Sequence, residues 1–157
     1  DKTLTTASIK STVEGDPVTS IGDGAFENCI YLTGATIPDS VTSIGNRAFD
    51  SCSSLMDVSI GANVSTIGNY AFEWCTSLVA VEIPDSVTSM GDYAFEWCES
   101  LERLTVGKGL ESIGKWAFYG CDGLKDVYAE DFTEEEWSRL SEETGIPEET
   151  TIHLKQV

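Results

Sequence analysis

The stretch that decides the architecture is Ile67-Gly-Asn-Tyr-Ala-Phe-Glu-Trp-Cys-Thr-Ser-Leu-Val-Ala-Val-Glu-Ile-Pro-Asp-Ser-Val-Thr-Ser89, one period of a unit that recurs every 23 residues. Its copies open at Ile21, Ile44, Ile67, Met90 and Ile113, each followed by a glycine. A strict period of this length marks a solenoid, in which each unit buries its apolar residues against its neighbours in the chain. Working outward from it, the fold class is an α/β repeat: parallel strands on one face, short turns or helices on the other. Such a fold offers a long shallow surface rather than a small enclosed active site.

Comparison of the copies within the chain separates two kinds of slot. The leading Ile or Met, the alanine (Ala25 to Ala117), the phenylalanine (Phe26 to Phe118), the cysteine (Cys29 to Cys121) and the leucine (Leu32 to Leu124) are apolar every time and are expected inside. The Val-x-Ile alternation after each leucine is the period-2 signature of a strand with one buried face. Five such strands, about 4.8 Å apart, give a sheet roughly 25 Å long. Pro38, Gly61, Pro84 and Gly107 end the strands, and both residue types form turns. Ala-Phe-x-x-Cys has helical i, i+3 spacing but is long enough for only a turn or two. The phenylalanines are expected to stack as a spine. The five cysteines share one slot, and parallel Cβ vectors suit a disulfide dihedral poorly. Buried thiols acting as small apolar groups are the first reading, with disulfides as the alternative.

Leu-x-x-Val-x-Ile-Pro-x-x-Val-x-x-Ile-Gly-x-x-Ala-Phe-x-x-Cys, running from residue 18 to about 129, resembles the BspA-like, or Treponema pallidum-type, class of leucine-rich repeats. The resemblance implies a curved right-handed solenoid. It also implies a bacterial protein, secreted or attached to the cell surface, often one module of a larger chain, serving adhesion or protein binding. It brings no catalytic residue and no cofactor with it.

The two ends depart from the period. Residues 1–20 read as an incomplete repeat, with Leu4, Ala7 and Ile9 in the slots of Leu32, Ala35 and Ile37 and an insertion around Glu14-Gly15-Asp16-Pro17. Residues 21–129 are the five full repeats, and residues 130–157 form a cap. There Thr133-Glu-Glu-Glu136 is a capping box, opening a helix expected to run to about Glu143 with Trp137 and Leu140 on its apolar edge. A closing strand over residues 151–155 follows, and an outward, solvent-exposed His153 is expected on it.

Of 157 residues 41% are hydrophobic, enough for a core, and no apolar run approaches the roughly 20 residues of a membrane span. Twenty-seven acids against nine bases leave a net charge of −18, which argues against nucleic acid and anionic membranes. No leader is legible at Asp1, which says little about location. His153 is the one histidine, cysteines 23 apart lack zinc-site spacing, and no phosphate loop, nucleophile elbow or dinucleotide fingerprint occurs. The acids of the cap point around a helix, unlike an EF-hand loop; a solvated cap is the expected reading and a calcium site the alternative.

Two surfaces are candidates for binding. Slots that are polar in early copies turn aromatic in later ones, so that Tyr70 and Trp74, then Tyr93 and Trp97, pair at helical i, i+4 spacing and Trp116 extends the row. An exposed aromatic patch of this kind would take a protein or glycan partner; the bland alternative is that the rings only pack on each other. The strand face offers Asp57, Ser59, Glu82, Arg103, Thr105, Asp126 and Tyr128, small and mixed in sign, on the side where leucine-rich repeats generally bind. The expected function is a non-catalytic recognition or adhesion module, and the runner-up is a stiff spacer in a larger surface protein.

Overall fold

The computed structural model describes residues 5–156; Leu4, assigned above to the first leucine slot, lies outside them. The chain winds as a solenoid of parallel strands with one short helix near its C-terminus. The Val-x-Ile segments stack in order as Thr6–Ser8, Gly34–Thr36 and Asp57–Ser59, then Ala80–Ile83, Arg103–Val106, Asp126–Ala129 and Thr151–Leu154. All pair in parallel, with equivalent residues opposite one another, as Arg103 is to Ala80 and Asp126. The expected single sheet is divided in two, because Asp57–Ser59 and Ala80–Ile83 lie side by side without a ladder between them.

A second parallel sheet, not anticipated from the sequence, is built from the two residues that end each Val-x-x-Ile segment. Ser20–Ile21, Ser43–Ile44, Thr66–Ile67, Ser89–Met90 and Ser112–Ile113 form its five short strands. A column of hydroxyls adds to it: Thr42 Oγ1, Ser65 Oγ and Thr88 Oγ1 each donate to the carbonyl 23 residues earlier, at 3.1, 2.9 and 3.3 Å. The residue after each glycine adds another. The Oδ1 atoms of Asp23, Asn46, Asn69 and Asp92 accept the backbone N–H of Asn46, Asn69, Asp92 and Lys115 at 2.7–2.9 Å.

On the remaining side the Ala-Phe-x-x-Cys segments are turns, the first of the two forms left open by the sequence, and not helix. Arg47, Phe49 and Ser51 direct their N–H groups to the next coil, onto the carbonyls of Asn69, Ala71 and Glu73, rather than back along their own turn. That alternation needs a left-handed backbone at two slots per coil: φ is +58° at Tyr70 and Tyr93 and +56° to +57° at Trp74 and Trp97. Left-handed φ is tolerated least by β-branched residues, and neither slot ever holds one.

The repeated apolar slots form one continuous core. Phe26, Phe49, Phe72, Phe95 and Phe118 stack with centroids 4.9–5.6 Å apart and planes within 6°. The cysteines are free, and the thiols of Cys52, Cys75, Cys98 and Cys121 donate to the carbonyls of Phe26, Phe49, Phe72 and Phe95 at 3.1–3.3 Å. Burial pushes the Cys52 thiol up to about 12, so it stays protonated and able to donate. The first coil departs from the expected interior: Ala25 is exposed and Phe26 half-buried, because among the described residues no earlier Ala-Phe-x-x-Cys segment packs on them.

At the N-terminus Thr6–Ser8 pairs with Gly34–Thr36 and places Ala7 opposite Ala35, as the slot comparison requires. The insertion is a two-stranded antiparallel ribbon, Thr12–Val13 with Asp16–Pro17, turning through left-handed Glu14 and Gly15. It displaces the chain from the repeat path. Ser86 Oγ donates to the Val64 carbonyl, whereas Ser40 Oγ, in the same slot one coil from this ribbon, is buried without a partner.

The cap helix, Glu134–Leu140, is shorter than the expected run to Glu143. Its capping box is complete: Glu136 N–H donates to Thr133 Oγ1 at 3.3 Å, and Thr133 N–H donates to Glu136 Oε2 at 2.8 Å. Trp137 and Leu140 are buried against the last coil. Left-handed Glu143 and Gly145 turn the chain, while the Glu143 and Thr144 carbonyls accept from Trp116 and Phe118 N–H. The closing strand then pairs with Asp126–Ala129.

Candidate binding surfaces

The strand face carries a shallow open trough of about 520 Å³ where the two stacks of strands part, lined by Asp57, Ser59, Ala62, Glu82, Arg103 and Thr105 among others. It takes in five of the seven strand-face residues singled out from the sequence. A second hollow of about 410 Å³ shares Ala62, Glu82, Pro84 and Thr105 with it and reaches Tyr128, Glu130 and Asp131. Asp126 is engaged elsewhere: its Oδ1 lies 2.8 Å from Nε2 of His153, whose ring stacks on Tyr128 at 4.3 Å. His153 therefore faces outward and stays partly exposed, held at the same time by two neighbours.

On the turn side the aromatic residues come together in a different arrangement from the expected helical pairs. Left-handed backbone at both slots sends the side chains out as two separate columns. Tyr70 and Tyr93 stack at 5.0 Å with planes 3° apart, and Trp74 and Trp97 at 5.2 Å and 14°. Rings of successive coils thus cover one another's faces. Trp116 meets Tyr119 edge-to-face at 5.1 Å, and Tyr119 meets Trp97 in the same way at 5.3 Å. Tyr119 was not singled out from the sequence, although Phe118-Tyr119 repeats the register of Phe95-Glu96.

Between the columns runs a row of carboxylates that sequence reasoning also passed over: Glu27, Asp50, Glu73 and Glu96, one per coil in the slot after phenylalanine. Arg47 closes its upstream part. Its Nη1 lies 2.8 Å from Asp50 Oδ2 and 3.4 Å from Glu73 Oε2, and its guanidinium sits 4.3 Å from the Tyr70 ring centroid. The hydrogen bond to Asp50 raises the guanidinium further above its ordinary range. Burial pushes the Glu73 carboxyl up to about 7, aided by the charges of Asp50 and Glu96 and opposed by Arg47. Burial raises the neighbouring Glu96 carboxyl as well, partly offset by its interaction with Glu73. A within-chain comparison of the slot after phenylalanine would have exposed this row.

Among the described residues no group of three or more metal-ligating side chains comes together, and no helix is long and apolar enough to cross a membrane.

The BspA type leucine rich repeat region matches residues 3–135 in six copies. The Treponema pallidum leucine-rich repeat protein TpLRR is similar in structure, with a TM-score of 0.77 at 31% identity over 79% of this chain and 58% of that one. A leucine rich cell surface protein from Faecalibacterium prausnitzii A2-165 superposes with a TM-score of 0.80 at 30% identity, over 91% of this chain and 36% of that one. A leucine-rich repeat protein from Bacteroides ovatus gives 0.74 at 26% identity, over 98% and 43%. The chain thus spans between about a third and three-fifths of these longer proteins. No curated protein matches it.

Proposed function

The chain belongs to the family of BspA-type leucine-rich repeats, whose fold is typically non-catalytic, and from that premise we propose that it is a recognition module of a bacterial secreted or surface protein, serving adhesion to a protein or glycan partner. The trough on the strand face carries this reading. It lies where the strand ladder is interrupted, so backbone edges and the outward side chains of Asp57, Glu82 and Arg103 converge on one open hollow. The core slots recur in every coil, whereas these outward slots change from coil to coil, which suits a scaffold whose specificity is written on its surface. The surface protein of F. prausnitzii, similar in structure, supports the location.

The test is saturable binding of the immobilised protein to an epithelial-surface fraction, set beside a variant carrying Glu82→Lys and Arg103→Glu. Binding lost in the variant at unchanged melting temperature supports the reading; protease or glycosidase treatment of the fraction then assigns the partner class. Equal binding by both proteins removes the trough from consideration. A second reading, a stiff spacer, is favoured by one observation: the rings of the turn side are largely satisfied by each other. Absence of saturable binding to any fraction would select it.

A further inference from the structure

The tryptophan column has an open end. Trp97 lies over Gly120, where a Cβ would collide with its indole, and Trp74 lies on Trp97. The same slot one coil earlier holds Ser51, whose hydroxyl is turned onto Asp50 Oδ1 at 2.8 Å. Trp74 stacks on no second ring among the described residues and is 42% exposed, so one indole face looks back along the solenoid, uncovered. The tyrosine column ends at the same coil, but Arg47 closes it.

We propose that the uncovered face of Trp74 is a docking point for an arginine side chain of a basic protein segment. The molecule contains the same contact next door, where a guanidinium lies on the last ring of a column and pairs with the carboxylates beside it. Indole is the strongest of the aromatic faces for a cation. Charge complementarity points the same way. Glu27, two coils upstream in the row of Asp50 and Glu73, is exposed and makes no ion pair among the described residues, and the whole chain carries −18. A planar guanidinium both stacks and forms paired hydrogen bonds, which an ammonium does not. The proposal rests on the recognition reading but not on the strand-face trough, which belongs to another side of the coil.

Hexa-arginine, hexa-lysine and chitohexaose, added in turn, test it, with the indole N–H resonance of Trp74 followed by NMR. Hexa-arginine is expected to move that resonance selectively and saturably, with affinity falling as salt rises, and to bind about fivefold more tightly than hexa-lysine. Trp74→Leu, which leaves the Trp97 face covered, should abolish the tight phase. Glu27→Gln, an exposed change that touches no core residue, should weaken it severalfold, and the Glu82→Lys, Arg103→Glu variant should keep it. Equal affinity for the two peptides, or binding indifferent to Trp74→Leu and Glu27→Gln, overturns the proposal. So does a response to chitohexaose alone, which would make the face a sugar platform, or loss of the peptide response in the trough variant.

Discussion

The first full coil and the third carry the same motif, Ile21-Gly-x-x-Ala-Phe-x-x-Cys29 and Ile67-Gly-x-x-Ala-Phe-x-x-Cys75, and live in different surroundings. In the third, Ala71, Phe72 and Cys75 are wholly buried, Phe72 is sandwiched between Phe49 and Phe95, and the thiol donates to Phe49. A Cβ on Gly68 would lie 2.6 Å from the backbone of Asn46 and Gly45. In the first coil, among the described residues, Ala25 is exposed, Phe26 stacks on one ring only, and nothing stands within 4 Å of a Cβ on Gly22. A repeat motif thus specifies what a coil offers to its neighbours. Burial belongs to the neighbours, and so does the reason for a glycine.

Matched substitutions in the two coils can break this comparison. Phe72→Ala should cost about 3–5 kcal/mol in urea unfolding and Phe26→Ala about 1–2 kcal/mol, since the second opens no enclosed cavity. Similar costs would mean that the first coil is sealed by something else. Gly68→Ala should cost about 2–3 kcal/mol, because the backbone it meets cannot step aside, while Gly22→Ala should stay within about 0.5 kcal/mol. A costly Gly22→Ala would show that the glycine serves its own turn. The smallest effect concerns pH. Glu73 holds its proton up to about pH 7, above the ordinary 4.5 of a glutamate. The folded state thus binds more protons than the unfolded one between those values, and its stability falls as pH rises from about 4.5 to 7, then levels. The loss is on the order of 1 kcal/mol after solvent screening, and Glu73→Gln should flatten it in melts taken across that range. An unchanged slope would place the proton elsewhere in the row.

Much of this architecture could be read from spacing alone. Stacking of equivalent slots made the phenylalanine spine, the parallel strands and the thiol column legible, since a fixed period leaves each inward side chain no other neighbour. The cap was legible for a local reason, because Thr133 and Glu136 satisfy each other within one turn. Backbone sign was harder. Tyr70 and Trp74 are spaced like helical neighbours, and aromatic side chains give no hint of a positive φ. The hint stood in other copies, where Gly24, Asn28 and Gly120 fill the same two slots with the residues that accept this conformation most readily. Polar columns were missed for a related cause. Asp23, Asn46, Asn69 and Asp92 look like ordinary surface residues until the N–H of the following coil is seen to need an acceptor. The carboxylate row and the open Trp74 face depend on which ring covers which, and that follows from three-dimensional overlap rather than from residue order.

That polar column also bears on how such a chain could change in evolution. Every link joins a residue to its counterpart 23 positions away, through atoms of the same kind. In-frame duplication or loss of one period between interior coils would leave all links intact, with only the outward side chains renumbered. Length can therefore drift by unequal recombination in quanta of one coil, about 4.8 Å each, without a destabilised intermediate. An indel of any other size has to be looped out of the repeat path, as the Thr12–Pro17 ribbon is, or it breaks the link at its own coil.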